Sequence, residues 1–190
     1  MSPVANGGLF LLQFLVGLVT FVLILRFLMR ATYVDWRHPV VGFIAKVTNP
    51  ICRPLNALFK NIGRWDWSAL LAAFIVEMAF VGLIGLLTGR DFGLITILMV
   101  SFSEIANQIL DLVFWLIIIQ VILSWVSPGY NPNTVIFDQM VSPILRPFQR
   151  IIPPIGGIDL SPLAVVVLIQ LTQIVLLRPI VAIAQGFVGQ

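Results

Sequence analysis

Carboxylates inside apolar runs are the residues of this sequence best suited to chemistry. Glu77 lies ten residues beyond Trp67, near the middle of such a run. Glu104, Gln108 and Asp111 follow at i, i+4 and i+7, so that a helix would place them on one face. Because ionisable groups in lipid are costly, each marks a functional candidate. Glu77 is predicted to be a neutral structural residue, with a proton or cation site as the alternative. Glu104, Gln108 and Asp111 are interpreted either as a solvated helix start or as a cation entrance.

Glutamines in the other apolar runs predict contacts between helices. Gln170 and Gln173 share one helical face, and Gln13 and Gln120 add one amide each to two further runs. Amides in lipid typically hydrogen-bond across helices, which is the role we expect here.

Catalytic motifs are absent from the sequence. It has no phosphate-binding loop, no nucleophile with a histidine base, and only one histidine and one cysteine. No catalytic residue, metal site or cofactor is therefore predicted, and enzymatic activity is not expected.

The composition excludes an ordinary water-soluble domain. The 190 residues are 59% apolar and 10% charged, with a mean hydropathy of +1.06, whereas soluble domains are about 25% charged. The net charge of +3 comes from 11 scattered basic residues, which do not form a nucleic-acid footprint.

Four apolar runs predict an all-α membrane protein with four transmembrane helices. The spans are placed at about 8–29, 67–88, 105–127 and 161–184, and residues 92–102 either lie in the interface or extend the third span. The first run lacks preceding basic residues and is interpreted as an uncleaved anchor. Asp66 and Gly89 are predicted to cap the second span, and Ser161 followed by Pro162 to start the fourth.

Basic residues indicate how the chain is oriented. The two long connectors, 30–66 and 127–160, contain eight of the eleven Lys and Arg residues. Since cytoplasmic loops carry an excess of these residues, we expect cytoplasmic connectors and both termini outside.

The two halves of the chain are related by an internal repeat. A shift of 93 residues aligns nine identities in the 31 positions 38–68, where chance would give about two. This predicts a first repeat at 1–90, a second at 105–190, and residues 91–104 as a connector or the start of the third span. The identical pairs are Pro39 and Pro132, Pro50 and Pro143, Ile51 and Ile144, Arg53 and Arg146, Pro54 and Pro147, Ile62 and Ile155, Gly63 and Gly156, Asp66 and Asp159, and Ser68 and Ser161.

Each connector is predicted to form amphipathic interfacial helices. Apolar residues recur every three or four positions from Ile136 to Ile155, and Arg146 and Arg150 take the opposite face. The paired prolines are predicted to break each connector into two short helices. The arginines could reach lipid phosphates or helix carbonyls, so each connector is interpreted as a surface anchor or, alternatively, as a docking groove for another protein.

The second connector carries a long and specific resemblance. The sequence here resembles the YggT family of bacterial membrane proteins, called YlmG in Gram-positive bacteria and chloroplasts. Two stretches carry the resemblance, Ser142 to Pro147 and Pro153 to Pro162, and the second includes Gly156, Gly157 and Asp159. The resemblance implies an inner-membrane protein associated with osmotic and salt tolerance, ion homeostasis, cell shape or division, and cofactor assembly. It implies no catalytic residue.

Two functional hypotheses follow from these patterns. In the first, a non-enzymatic accessory protein presents its amphipathic connectors to the cytoplasm and recruits or stabilises a partner protein, with anionic lipids or a second copy of the chain as further partners. In the second, a small cation channel or transporter uses the intramembrane carboxylates. The connector is duplicated but the carboxylates are not, since Glu77 corresponds to Gln170, which favours the first hypothesis.

Overall fold

The structure is a computed structural model that describes residues 3–35, 37–58, 63–90, 92–126, 134–154 and 159–186. These residues form mainly helices, and no strand occurs among them. In chain order the helices are α1 (Pro3–Ala31), α2 (Pro39–Leu58), α3 (Trp67–Thr88), α4 (Leu94–Val126), α5 (Val135–Ile151), α6 (Ser161–Thr172) and α7 (Arg178–Gly186).

Four helical segments are long and apolar enough to cross a membrane, which confirms the predicted all-helical membrane fold. They are Asn6–Ala31, Trp67–Thr88, Leu94–Val126 and Ser161–Ala182. The third is one unbroken helix, so residues 94–102 extend the span and do not form a separate interfacial segment. At 33 residues it would be about 50 Å long, well beyond the apolar core of a bilayer.

Polar groups mark both ends of α3 as predicted. The Asp66 carboxylate accepts a hydrogen bond from the Ala69 N–H at 3.3 Å, satisfying one of the free donors of the first turn. At the other end Gly89 adopts a left-handed conformation with φ of 67° and closes the helix.

The prediction that Ser161 caps the fourth span is wrong. Ser161 is the first residue of α6, and its N–H donates to the Asp159 carboxylate at 2.8 Å. The acidic residue two positions earlier therefore supplies the acceptor that serine was expected to provide. Pro162 lies in the first turn, where its missing N–H leaves no helical hydrogen bond unmade.

The predicted break at the paired prolines is also wrong. Pro50 and Pro54 lie inside one continuous helix, α2, and Pro143 and Pro147 lie inside α5. Each proline removes one backbone donor, and all four are exposed. Since the prolines lie on the exposed face, packing of the opposite, buried face holds each helix together despite the lost donors.

The fourth span contains a π-helical segment, Gln173–Leu177, between α6 and α7. The Arg178 N–H bonds to the Gln173 carbonyl five residues back, in the turn that precedes Pro179. Because proline cannot continue the regular ladder, the wider turn carries the helix past this position.

Helix α4 joins the two halves of the molecule. It packs on α1 and α3 from the first half and on α5, α6 and α7 from the second. Because consecutive spans alternate in direction, both connectors lie at the same end of the bundle. The Asp35 N–H in the first connector donates to the Gln139 side-chain oxygen of the second at 3.3 Å, a direct link between the two connectors.

Candidate functional site

A half-open groove of about 1370 Å³ runs between α1, α3 and α4. Its α4 wall extends from Thr96 to Ile119, about 35 Å at 1.5 Å per residue. Arg90 lines one end, and His38 lines the other together with residues from the start of α2 and α5. The groove thus runs through the depth of a bilayer core and ends at the connectors.

Three carboxylates from two different apolar runs come together in this groove. Glu77 from α3 is only 5% exposed, and it interacts with the Gln108 amide and with the Glu104 carboxylate of α4. Asp111 lines the groove about two turns beyond Glu104 on α4. Among the described residues, no Lys or Arg nitrogen lies within 4.0 Å of these three carboxylates.

The solvated-helix-start interpretation of Glu104 and its neighbours is wrong. Helix α4 begins at Leu94, so that Glu104 is ten residues inside the helix and Asp111 is seventeen. The effect of the helix dipole fades within the first turn and does not stabilise charges at these positions. The acidic face instead lies deep in the span, where it lines the groove.

Glutamine side chains connect helices at several of the predicted positions. Gln173, in the π-helical segment, donates to Asp111 at 2.7 Å, and Gln120 of α4 donates to Asp138 of α5 at 3.3 Å. Gln13 lines the groove from α1, whereas Gln170 is exposed on α6.

A buried ion pair fastens the first connector to the spans. The Arg26 Nε of α1 lies 3.0 Å from the Asp66 carboxylate, and these side chains are 7% and 0% exposed. Arg26 also donates to the Thr48 hydroxyl at 2.8 Å and to the Asn49 side-chain oxygen at 2.9 Å, both on α2. Sequence reasoning assigned Asp66 to capping and missed this network, although a lone arginine inside an apolar run was a signal for a buried partner.

The environment of Asp66 favours its ionised form. Burial opposes ionisation, but the Ser68 hydroxyl and the Arg26 guanidinium both donate to the carboxylate, so that its pKa is lowered. Arg30 adds a second positive charge at 3.4 Å. The repeat partner Asp159 is exposed, and the Ser161 N–H and the Gln149 amide lower its pKa despite some desolvation. Among the described residues, only the first copy of the motif therefore forms a buried ion pair.

The two connector helices combine an anchored face with an exposed one. On α2, Val41, Ile44, Thr48 and Cys52 are buried, while an exposed apolar stripe passes through Val40, Phe43, Val47 and Ile51. On α5, Ile136, Met140, Val141 and Leu145 are buried. The predicted interface residues Arg53, Arg146 and Arg150 are exposed beside the four prolines, and Gly156 and Gly157 lie outside the described residues.

Across the described ranges, no group of three or more His, Cys, Asp or Glu side chains is arranged to hold a metal ion. The fold and these sites together define a multi-pass helical membrane protein with two amphipathic connector helices at one end.

The family model described as CCB3/YggT matches this chain twice, at residues 5–87 and 99–180. The chain belongs to the CCB3/YggT family. The two matches correspond to the two halves of the internal repeat, each containing a span, a connector helix and a second span.

Relatives of similar length occur in several bacteria. An uncharacterised protein of Pseudomonas aeruginosa is 31% identical over 96% of this chain and 94% of its own length. The uncharacterised protein YggT of Escherichia coli K12 is 36% identical, with 86% of each chain covered. An uncharacterised protein of Vibrio alginolyticus is 34% identical over 87% of this chain and 90% of its own. No solved structure matches the chain.

Proposed function

We propose that this protein is a non-enzymatic accessory protein of the bacterial inner membrane that recruits or stabilises another membrane protein at its connector end. The observation that carries the proposal is the construction of the connectors. Helix α2 is fixed to the spans by the buried Arg26 network, and α5 is joined to α4 through Asp138. Both helices nevertheless leave apolar and basic side chains exposed, as a binding platform requires.

The proposal includes a function in osmotic or salt stress, ion homeostasis or envelope organisation, which rests on the family resemblance. It also places the connectors in the cytoplasm and both termini outside. The support for this orientation is the concentration of Lys and Arg in the connectors.

Reporter fusions test the orientation. We expect a reporter fused after Gln190 to be active only outside the cytoplasm, and one fused after Asn56 only inside. Alkaline phosphatase and green fluorescent protein at both positions provide opposite readouts, since the first needs an oxidising compartment and the second matures in the cytoplasm. The reverse pattern at both positions would rule out a cytoplasmic platform.

Removal of the exposed arginines tests recruitment. We expect Arg146→Ala combined with Arg150→Ala to leave membrane levels unchanged and to reduce co-purifying protein and anionic lipid about tenfold. Each basic side chain near an anionic surface contributes about 1 kcal/mol to binding, so that removing both arginines weakens binding by at least about tenfold. Quantitative mass spectrometry after purification in mild detergent provides the measurement.

The matched control is Arg178→Ala, which removes an exposed positive charge from the fourth span instead of a connector. It should leave co-purification at the wild-type level. Unchanged binding in the double variant, with loss of the protein from the membrane, would assign both connector arginines a structural role and contradict the proposal.

A cation channel or transporter is the second candidate function. The observation that favours it is the position of Glu77, Glu104 and Asp111 along one groove through the depth of the bundle. Intramembrane carboxylates that face a cavity occur in ion and proton pathways.

A further inference from the structure

The dimensions of the groove point to the kind of ligand that it accepts. It is about 35 Å long and about 1370 Å³ in volume, which gives a mean cross-section of about 40 Å². A helix with its side chains is about 10 Å across and has a cross-section of about 80 Å², so the groove would enclose about half of one. Exposed Phe21 on α1 and Trp115 on α4 line it, which leaves the groove open to the lipid.

The polar groups of the groove lack positive partners. Glu77 and Glu104 lie near the middle of the membrane depth, and no described Lys or Arg is paired with them. Beside them the Gln108 Oε1 atom is buried and has no hydrogen-bond donor among the described residues. The Gln108 Oε1 atom needs a donor, because a buried acceptor left unpaired costs about 1–3 kcal/mol. The Glu77 carboxylate accepts from the Gln108 amide but faces the like-charged Glu104, so a positive charge beside the two would stabilise them.

From these two features we infer that the groove is the docking site for a single membrane-spanning helix of another protein, one that carries a lysine or arginine near mid-span. The inference rests on the proposed accessory function and specifies its partner. A basic residue at this depth would pair with Glu77 or Glu104, and the apolar walls would pack against the remainder of the helix.

Other occupants fit the groove less well. Lipid acyl chains would fill its apolar walls but offer no hydrogen-bond donor to the carboxylates. A second copy of this chain lacks a suitable helix among the described residues, since Arg26 and Arg30 are paired with Asp66 and Arg178 lies near the end of its span.

The position of the connectors agrees with this occupant. Val40 of α2 and Ile136 of α5 line the connector end of the groove, so that a bound helix would leave the membrane between the two connector helices. The intramembrane groove and the exposed connector surfaces would then contact one continuous partner.

A synthetic helix tests the inference without knowledge of the natural partner. The purified full-length protein is placed in phosphatidylcholine vesicles with a 22-residue leucine-alanine peptide that carries one central lysine and a terminal dansyl group. Energy transfer from protein tryptophan to dansyl reports binding, with Trp115 in the groove wall as one of the donors. A peptide with leucine in place of the lysine is the reference, and circular dichroism verifies that both are helical.

We expect the lysine peptide to bind at least tenfold more tightly than the leucine peptide. Glu77→Gln combined with Glu104→Gln should remove this preference, while Asp159→Asn, which alters an exposed carboxylate outside the groove, should retain it. Equal binding of the two peptides, no binding of either, or a preference that survives the double variant would overturn the inference. Because the assay contains no natural partner and alters no connector arginine, it can fail while recruitment by the connectors stands.

Discussion

Replacing Asp66 by alanine is expected to lower the free energy of unfolding by about 3–5 kcal/mol. The substitution leaves Arg26 buried with only the neutral Thr48 and Asn49 as partners. An uncompensated buried charge is far more costly than the pair itself is stabilising. Unfolding of the purified protein in mixed micelles by increasing fractions of dodecyl sulfate gives the measurement.

The internal repeat provides a matched control for this variant. Asp159 aligns with Asp66, but it is exposed and accepts hydrogen bonds from the Ser161 N–H and the Gln149 amide instead of pairing with a buried arginine. Asp159→Ala should therefore cost about 1 kcal/mol, the typical value for a lost helix cap. Equal losses for the two variants would show that the buried ion pair does not hold the first connector in place.

Acidification should have the same effect as the Asp66 substitution. Because the folded-state pKa of Asp66 is lowered, the ionised carboxylate stabilises the fold fully above the unfolded-state pKa of about 3.9. This stabilisation is lost as the pH falls through the folded-state pKa. The difference in stability between wild type and Asp66→Ala should therefore be large at pH 7 and shrink below pH 4. A constant difference across this range would contradict an ionised Asp66.

Reconstituted protein is expected to pass no potassium or sodium above the level of protein-free liposomes. Glu77→Gln should keep expression and fold, since glutamine retains the shape and hydrogen-bonding capacity of a neutral glutamic acid. Entrapped ion-sensitive dyes measure the flux, and gramicidin provides the positive control.

Two outcomes of the flux experiment would favour transport. A robust cation flux that Glu77→Gln abolishes would replace the accessory function by the channel hypothesis. A flux that survives Glu77→Gln but is lost in Asp111→Asn would move the site along α4 to the carboxylate bonded to Gln173.

Features that depend on local sequence were predictable from it. A long apolar run requires a span whatever lies around it, and Asp66 and Gly89 were identified as helix ends because capping depends on neighbouring residues. The prolines show the limit of such reasoning. Counting lost donors predicts a break, whereas exposed prolines and a buried opposite face allow α2 and α5 to remain continuous.

Features that join distant segments were not predictable. Arg26 and Asp66 are 40 residues apart, and their pairing depends on how α1 packs on α3. Helical periodicity placed Glu104, Gln108 and Asp111 on one face, but it gave no indication that Glu77 from another helix faces them across a groove. Both contacts depend on which helices pack against each other, and a single sequence does not specify that packing directly.

Photo-crosslinking in living cells tests the central claim, recruitment at the connector end, most directly. A benzophenone amino acid at Ile151, which is 77% exposed on α5, is compared with one at Leu86, which is 82% exposed at the far end of α3. We expect one defined membrane-protein adduct at Ile151, absent at Leu86 and diminished by Arg146→Ala with Arg150→Ala. No protein adduct at Ile151, or the same adducts at both positions, would contradict it.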